Sequence, residues 1–212
     1  MSRLAAICLL LLPFTSSPAA DRICAPSALL KVVTTTDAPD LPPDHFSRIP
    51  KTLYRFGEGS GRIEEAPNPQ SGLHILIVVN EPDIWMVDLA AHQGQYQKDP
   101  GPTYYFMARL FADDAAQSTF IRALEIGCES KWMREAGAKP VNTVHPTLGS
   151  VMKLEFVEGQ ERLVLFERDG KPVQLELYGP AGWLMSTNYL SYEPNLKPVP
   201  RLFKQPKGIR FD

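Results

Sequence analysis

The stretch Arg162-Leu-Val-Leu-Phe-Glu-Arg-Asp-Gly-Lys-Pro-Val-Gln-Leu-Glu-Leu-Tyr178 decides the fold class. Val173, Leu175 and Leu177 alternate with Gln174 and Glu176, which puts apolar side chains on one face of a strand and polar ones on the other. Leu163 to Phe166 supplies the partner strand. Asp169-Gly170 between the two is a hairpin signal, because the type I′ two-residue turn that Asp-Gly favours needs positive φ at both positions. Upstream, Met152, Leu154 and Phe156 alternate with Lys153 and Glu155, and Glu158-Gly159 makes the turn. Downstream, Gly179-Pro-Ala-Gly182 turns into a last long strand, Trp183 to Tyr192. The tail from Pro198 to Asp212 reads as an extended segment lying across the sheet.

The same texture recurs earlier in the chain. Leu53 to Phe56 leads into a glycine-rich turn at Gly57, Gly59 and Gly61, and Arg62 to Glu65 follows. Leu73 to Val79 is β-branched and closes at Asn80-Glu-Pro-Asp83, and Ile84 to Leu89 runs to Gly94. These are sequential antiparallel strands, with a further short strand at Gln95 to Asp99. Ser27 to Thr36 holds an apolar patch that fits helix or strand, and Leu41 to Pro50 is a proline-punctuated loop. Thr103 to Pro140 breaks the pattern. Asp113 or Asp114 caps a helix there, Phe120, Ile121 and Leu124 recur at helical spacing, and Gly127 terminates it. A second helical turn is expected at Lys131 to Glu135. The class is α+β and mostly β. A single domain spans 21–212, with strand blocks at 53–100 and 149–192, a helical insertion at 103–140 and an extended tail at 193–212.

The first twenty residues read as a cleavable export signal. Arg3 gives the positive start, Leu4 to Phe14 an apolar run half the length of a bilayer span, and Ser16 to Ala20 the small residues a signal peptidase needs. Cleavage falls after Ala19 or after Ala20; an uncleaved anchor is the alternative. Cys8 has no small residue directly before it, which argues against lipid attachment there. No later stretch is long and apolar enough to span a membrane as a helix. The expected location is secreted, in the periplasm.

A formal charge of −2 over 212 residues gives no electrostatic reason to expect nucleic acid or an anionic membrane as partner. Cys24 and Cys128 remain after export. In an oxidising compartment they most simply form one disulfide closing a loop of about 100 residues, worth roughly 4–5 kcal/mol in the chain-entropy model; two buried thiols are the alternative. The four histidines, His45, His74, His92 and His145, fall in no zinc-binding spacing, and no nucleophile or phosphate-loop motif is present. The sequence therefore points to no enzyme, metal or cofactor.

Three segments resemble the periplasmic lipoprotein-carrier and outer-membrane lipoprotein-sorting superfamily. They are Gly72 to Gly94 with its Trp85-Met-Val-Asp88 strand, the hairpin Arg162 to Tyr178, and Leu202-Phe-Lys-Gln-Pro-Lys-Gly-Ile-Arg210. The resemblance implies an antiparallel sheet curved into an incomplete barrel, whose apolar face holds acyl chains or another hydrophobic ligand under helices. Trp85, Val87, Leu154, Phe156, Leu165, Leu175 and Leu177 are the apolar strand residues expected to line that cavity. The chain departs from the carriers in its proline-rich 37–50 segment and in its helical 103–140 segment. It then reads as an exported binding or carrier protein for a lipid or lipid-modified polypeptide. The alternatives are a structural or protein-interaction module filled by its own side chains, and an envelope hydrolase using His45, His92 or His145 beside a carboxylate. The exported protein is expected to start at residue 20 or 21 and, unfolded in denaturant, to react with no alkylating agent until reduced. Intact-mass measurement before and after reduction checks both; labelling of Cys128 without reductant rejects the disulfide.

Overall fold

The computed structural model describes residues 25–39, 41–43, 45–98 and 124–211. The expected export signal, Cys24 and the helix expected around Asp113-Asp114 lie outside the described residues. Among those described, the strands are β1 (Leu29–Asp37), β2 (Lys51–Phe56), β3 (Ser60–Glu65), β4 (Ile75–Asn80), β5 (Asp83–Asp88), β6 (Gln93–Lys98), β7 (Val141–His145), β8 (Gly149–Glu158), β9 (Glu161–Arg168), β10 (Lys171–Gly179), β11 (Gly182–Leu196) and β12 (Arg210–Phe211). One α-helix, α1 (Glu129–Glu135), precedes β7.

All twelve strands join in one sheet, ordered β12-β6-β5-β4-β3-β2-β1-β11-β10-β9-β8-β7. The end strands β12 and β7 do not pair, so the sheet is an open, incomplete barrel. Two antiparallel meanders, β2 to β6 and β7 to β11, meet on β1, which pairs antiparallel with both β2 and β11. The apolar patch at Ser27 to Thr36, readable as helix or strand, is thus the central strand. Its Val32-Val33-Thr34-Thr35-Thr36 run is β-branched, and side chains on both of its faces are at least partly buried.

The hairpin read from the sequence forms as expected. Arg168 pairs with Lys171, and Asp169 and Gly170 sit at φ +51 and +72. The glycine-rich Gly57-Glu-Gly59 is the loop between paired Phe56 and Ser60. The tail begins after β11, at 197. It turns through a short 3-10 segment at Pro200–Phe203, buries Phe203, and ends as β12, parallel to β6.

Register separates the two faces of the sheet. The inner face, defined by α1, carries Leu30, Val32, Leu154, Leu163, Leu165, Leu175, Leu177 and Met185, packed with Trp132 and Met133 of α1 in the main core. Full burial of each such side chain contributes about 1.5–3 kcal/mol. A seven-residue helix does not persist alone; α1 is held by Met133, fully buried, and by the edge-to-face contact of Trp132 with Phe156 at 5.1 Å between centroids. The outer face has its own clusters, including Leu76, Val78, Trp85 and Val87 beneath Ile209 and Phe211 of the tail.

The structure corrects one expectation for the insertion: Leu124 is buried but lies in no helix. Residues 141–145, unassigned between the insertion and the second strand block, form the edge strand β7. Gly127 positions the turn before α1. Its φ of +84 favours glycine, and an added Cβ would collide with the Leu30 side chain. Gly137, at φ +94, faces open space. Left-handed strain alone costs an alanine variant about 1–3 kcal/mol. Urea denaturation should therefore show a larger loss for Gly127→Ala than for Gly137→Ala; equal losses would mean that the Leu30 contact adds nothing.

Candidate functional site

Of the seven residues read as cavity lining, Leu154, Phe156, Leu165, Leu175 and Leu177 come together on the inner face of β8, β9 and β10, covered by α1. Trp85 and Val87 do not join them. Val78 faces Trp85 and Leu76 faces Val87 across β4 and β5, so this set shares the outer face and packs under the tail. The residues that alternate with them, Ile84 and Met86, are the ones turned inward.

That inner surface of β4 to β6 forms a shallow groove of about 400 Å³ beside Ile75, Ile77 and Met86, with Asp88, Gln93 and Gln95 along its rim; Val87 and Gly94, in the outward register, also border it. Met86 is 38% exposed. The rim carboxylate is occupied: Asp88 Oδ1 accepts the backbone N–H of His74 at 3.2 Å and of Ala90 at 3.0 Å. Desolvation raises the Asp88 pKa, but these donors and that of Ala91 outweigh it and hold the carboxyl below its ordinary range. The groove is apolar at its floor and hydrogen-bonded at its edge, which suits a hydrocarbon chain better than a charged group. A second, larger recess of about 580 Å³ lies between α1 and β7. It carries an ion pair. Arg134 Nη1 and Nη2 donate to Glu167 at 3.1 and 2.7 Å. Burial raises the Glu167 pKa, yet Arg134 prevails and holds it low.

Between these two regions sits a buried polar cluster that pattern reasoning missed. Arg55 of β2 points inward and is 1% exposed. It donates to Ile126 O at 2.8 Å and to the Glu125 carboxylate, and its Nη1 lies 3.5 Å from Cys128 Sγ. This pins the segment before α1 to the sheet. Glu129, also buried, accepts from Tyr189 Oη at 3.0 Å, while its Oε2 has no hydrogen-bond partner. Desolvation pushes the Glu129 pKa up, and backbone donors, Tyr189 and Arg55 only partly offset it. The available signal was Arg55 in the inward register of an alternating strand beside Leu53.

The histidines are spread across the fold. His45 Nδ1 accepts Ser47 N at 3.2 Å, and His145 Nδ1 accepts Thr147 N and Leu148 N at 3.3 and 3.2 Å. Both close local turns. His92 adopts φ +54 in the β5–β6 loop. His74 Nε2 lies 3.4 Å from Glu64 Oε1 on a part-exposed stretch of β3 and β4. Among the described residues, no group of three potential metal ligands occurs, and no helix is long and apolar enough to cross a membrane. Cys128 is buried against Arg55, and its expected partner Cys24 lies outside the described residues.

No protein-family model matches the chain, and no curated protein is similar to it in sequence. Among solved structures, an uncharacterized conserved protein from Thermus thermophilus is similar at 12% identity and a TM-score of 0.48, over 88% of this chain and 90% of that one. A domain described as outer membrane lipoprotein-sorting, from Vibrio parahaemolyticus, is similar at 13% identity and a TM-score of 0.35, over 83% and 89%.

The polar cluster sets two stability expectations. Arg55→Met strands a buried carboxylate and should cost about 3–5 kcal/mol in urea unfolding. Glu129 has a folded pKa above its ordinary 4.5. The stability it contributes is therefore complete below that ordinary value and lost as pH rises through the folded one. Glu129→Gln should gain on the parent as pH rises above that ordinary value, read as thermal midpoints; a pH-independent difference would rule this out.

Proposed function

We propose that the chain is an exported, non-enzymatic binding or carrier protein of the cell envelope, and that its ligand is a lipid or the acyl part of a lipid-modified polypeptide. The observation that carries this is the inner-face groove at Ile75, Ile77 and Met86, an apolar floor left accessible on a sheet whose other inner half is filled. An acyl chain laid there gains about 25 cal/mol for each Å² of apolar surface removed from water. The rim groups Asp88, Gln93 and Gln95 suit the polar end of such a ligand. The export signal and the three resembling segments support the compartment and the carrier reading.

A second reading, a protein-interaction module without a ligand, has one observation in its favour. The five inward residues of β8 to β10 are packed by Trp132 and Met133, as in an ordinary core. Native mass spectrometry of the purified protein separates the two. A co-purified lipid mass and binding of a hydrophobic dye are expected, with Met86→Asp reducing dye binding about tenfold or more. Val144→Asp, at the exposed far edge of the sheet, should leave it unchanged. Absence of both lipid and dye binding in the parent protein would support the module instead.

A further inference from the structure

The far end of the β10–β11 hairpin carries an apolar tip that neither the core nor the inner groove uses. Gly179-Pro-Ala-Gly-Trp-Leu184 contains no charged residue. Gly179 pairs with Gly182 across the turn, and every residue from Pro180 to Leu184 is exposed. Trp183 is 37% and Leu184 38% exposed, whereas the other two of the three tryptophans, Trp85 and Trp132, are 7% and 8% exposed.

The arrangement of the two side chains selects the partner. Trp183 stands opposite Tyr178 on the outer face. The register shift at that point turns Leu184 the other way, over the bare backbone of Gly179 on the inner face. A folded partner docking on one face of the hairpin covers only one of them. A fluid apolar layer entered end-on covers both. Just behind the tip on the outer face, Arg162 stacks 3.9 Å over the Tyr178 ring, and Tyr178 Oη donates to Glu176 at 2.7 Å. This polar collar lies where lipid headgroups would sit, and tryptophan favours that same boundary. The neighbouring β8–β9 turn carries Glu158 and Glu161, paired across it, which opposes attraction to an anionic surface.

We infer that the Pro180–Leu184 tip is a docking point for a zwitterionic phospholipid surface, inserted end-on with Trp183 and Leu184 in the interfacial layer. The inference holds whether or not the inner groove carries a lipid.

Trp183 is the most exposed of the three tryptophans, so a lipid-induced change in emission reports on the tip. Phosphatidylcholine vesicles should shift the emission of the full protein to the blue, and brominated lipid should quench it. The response should change little between about 0.05 and 0.5 M salt, since it is not electrostatic. Vesicle co-sedimentation should fall about tenfold for Trp183→Ser and for Leu184→Ser, with thermal midpoints and dye binding in the groove unchanged. Three results would overturn the inference: no shift at millimolar lipid, co-sedimentation indifferent to both substitutions, or the same shift with a short-chain phosphatidylcholine kept monomeric, which would mark ligand uptake rather than surface docking. A dimer in sedimentation velocity that both substitutions dissolve would overturn it too, in favour of self-association.

Discussion

Strand β1 pairs along both of its edges, and that double pairing turns two separate meanders into one sheet. Each meander is local. Its strands follow one another through short turns and need little from distant sequence. The β1–β11 ladder joins Leu29–Asp37 to residues 186–196, almost the whole length of the described chain. Contacts so far apart carry the largest loop-closure cost, so the sheet becomes continuous only when the N-terminal strand is in place. The same strand sends Leu30 and Val32 into the main core, which couples the pairing to the packing of α1.

The buried Arg55 extends this dependence to the segment before the helix. Its carbonyl and carboxylate acceptors come from Ile126 and Glu125, so the backbone entering α1 is anchored to β2 by a charge removed from water. Such a pair adds little net stability over apolar replacements, but it penalises any arrangement that separates the partners. It therefore fixes where α1 sits on the sheet more than how tightly the sheet holds. The outcome is an inner face of two halves: over β8 to β11 the helix fills it, and over β4 to β6 Met86 and its neighbours stay accessible.

Much of this is legible in the residues. The alternation in Leu163 to Leu177 and the Asp169-Gly170 turn set the register of the hairpin, and the proline-spaced tail reads as crossing the sheet. What is not legible has physical causes. Leu29 to Asp37 is ambiguous because a short apolar run buried on both faces carries no period, and its partner β11 lies far along the chain. Val141 to His145 carries little signal because it is short and follows the helical stretch directly at Pro140. Trp85 and Val87 belong with each other, but on the side opposite to the expected one. Period two says which residues share a face, not which face is inner, and both faces of β5 are apolar (Ile84 and Met86 against Trp85 and Val87). Arg55 breaks the rule that charged residues stay out, and only its acceptors in the 125–126 segment explain the exception.

The two ends of the sheet are finished differently. At one, the tail returns to lay Arg210–Phe211 along β6; at the other, β7 presents an outer edge without acidic or lysine side chains and with Val144 largely exposed. Edge strands invite pairing with other chains, but the geometry of growth depends on having two of them. Among the described residues the β12 end is also an edge, but its outermost strand is two residues long, against five in β7. Two copies meeting edge to edge at β7 would leave only those short strands at their ends, a poor template for extension into a fibre.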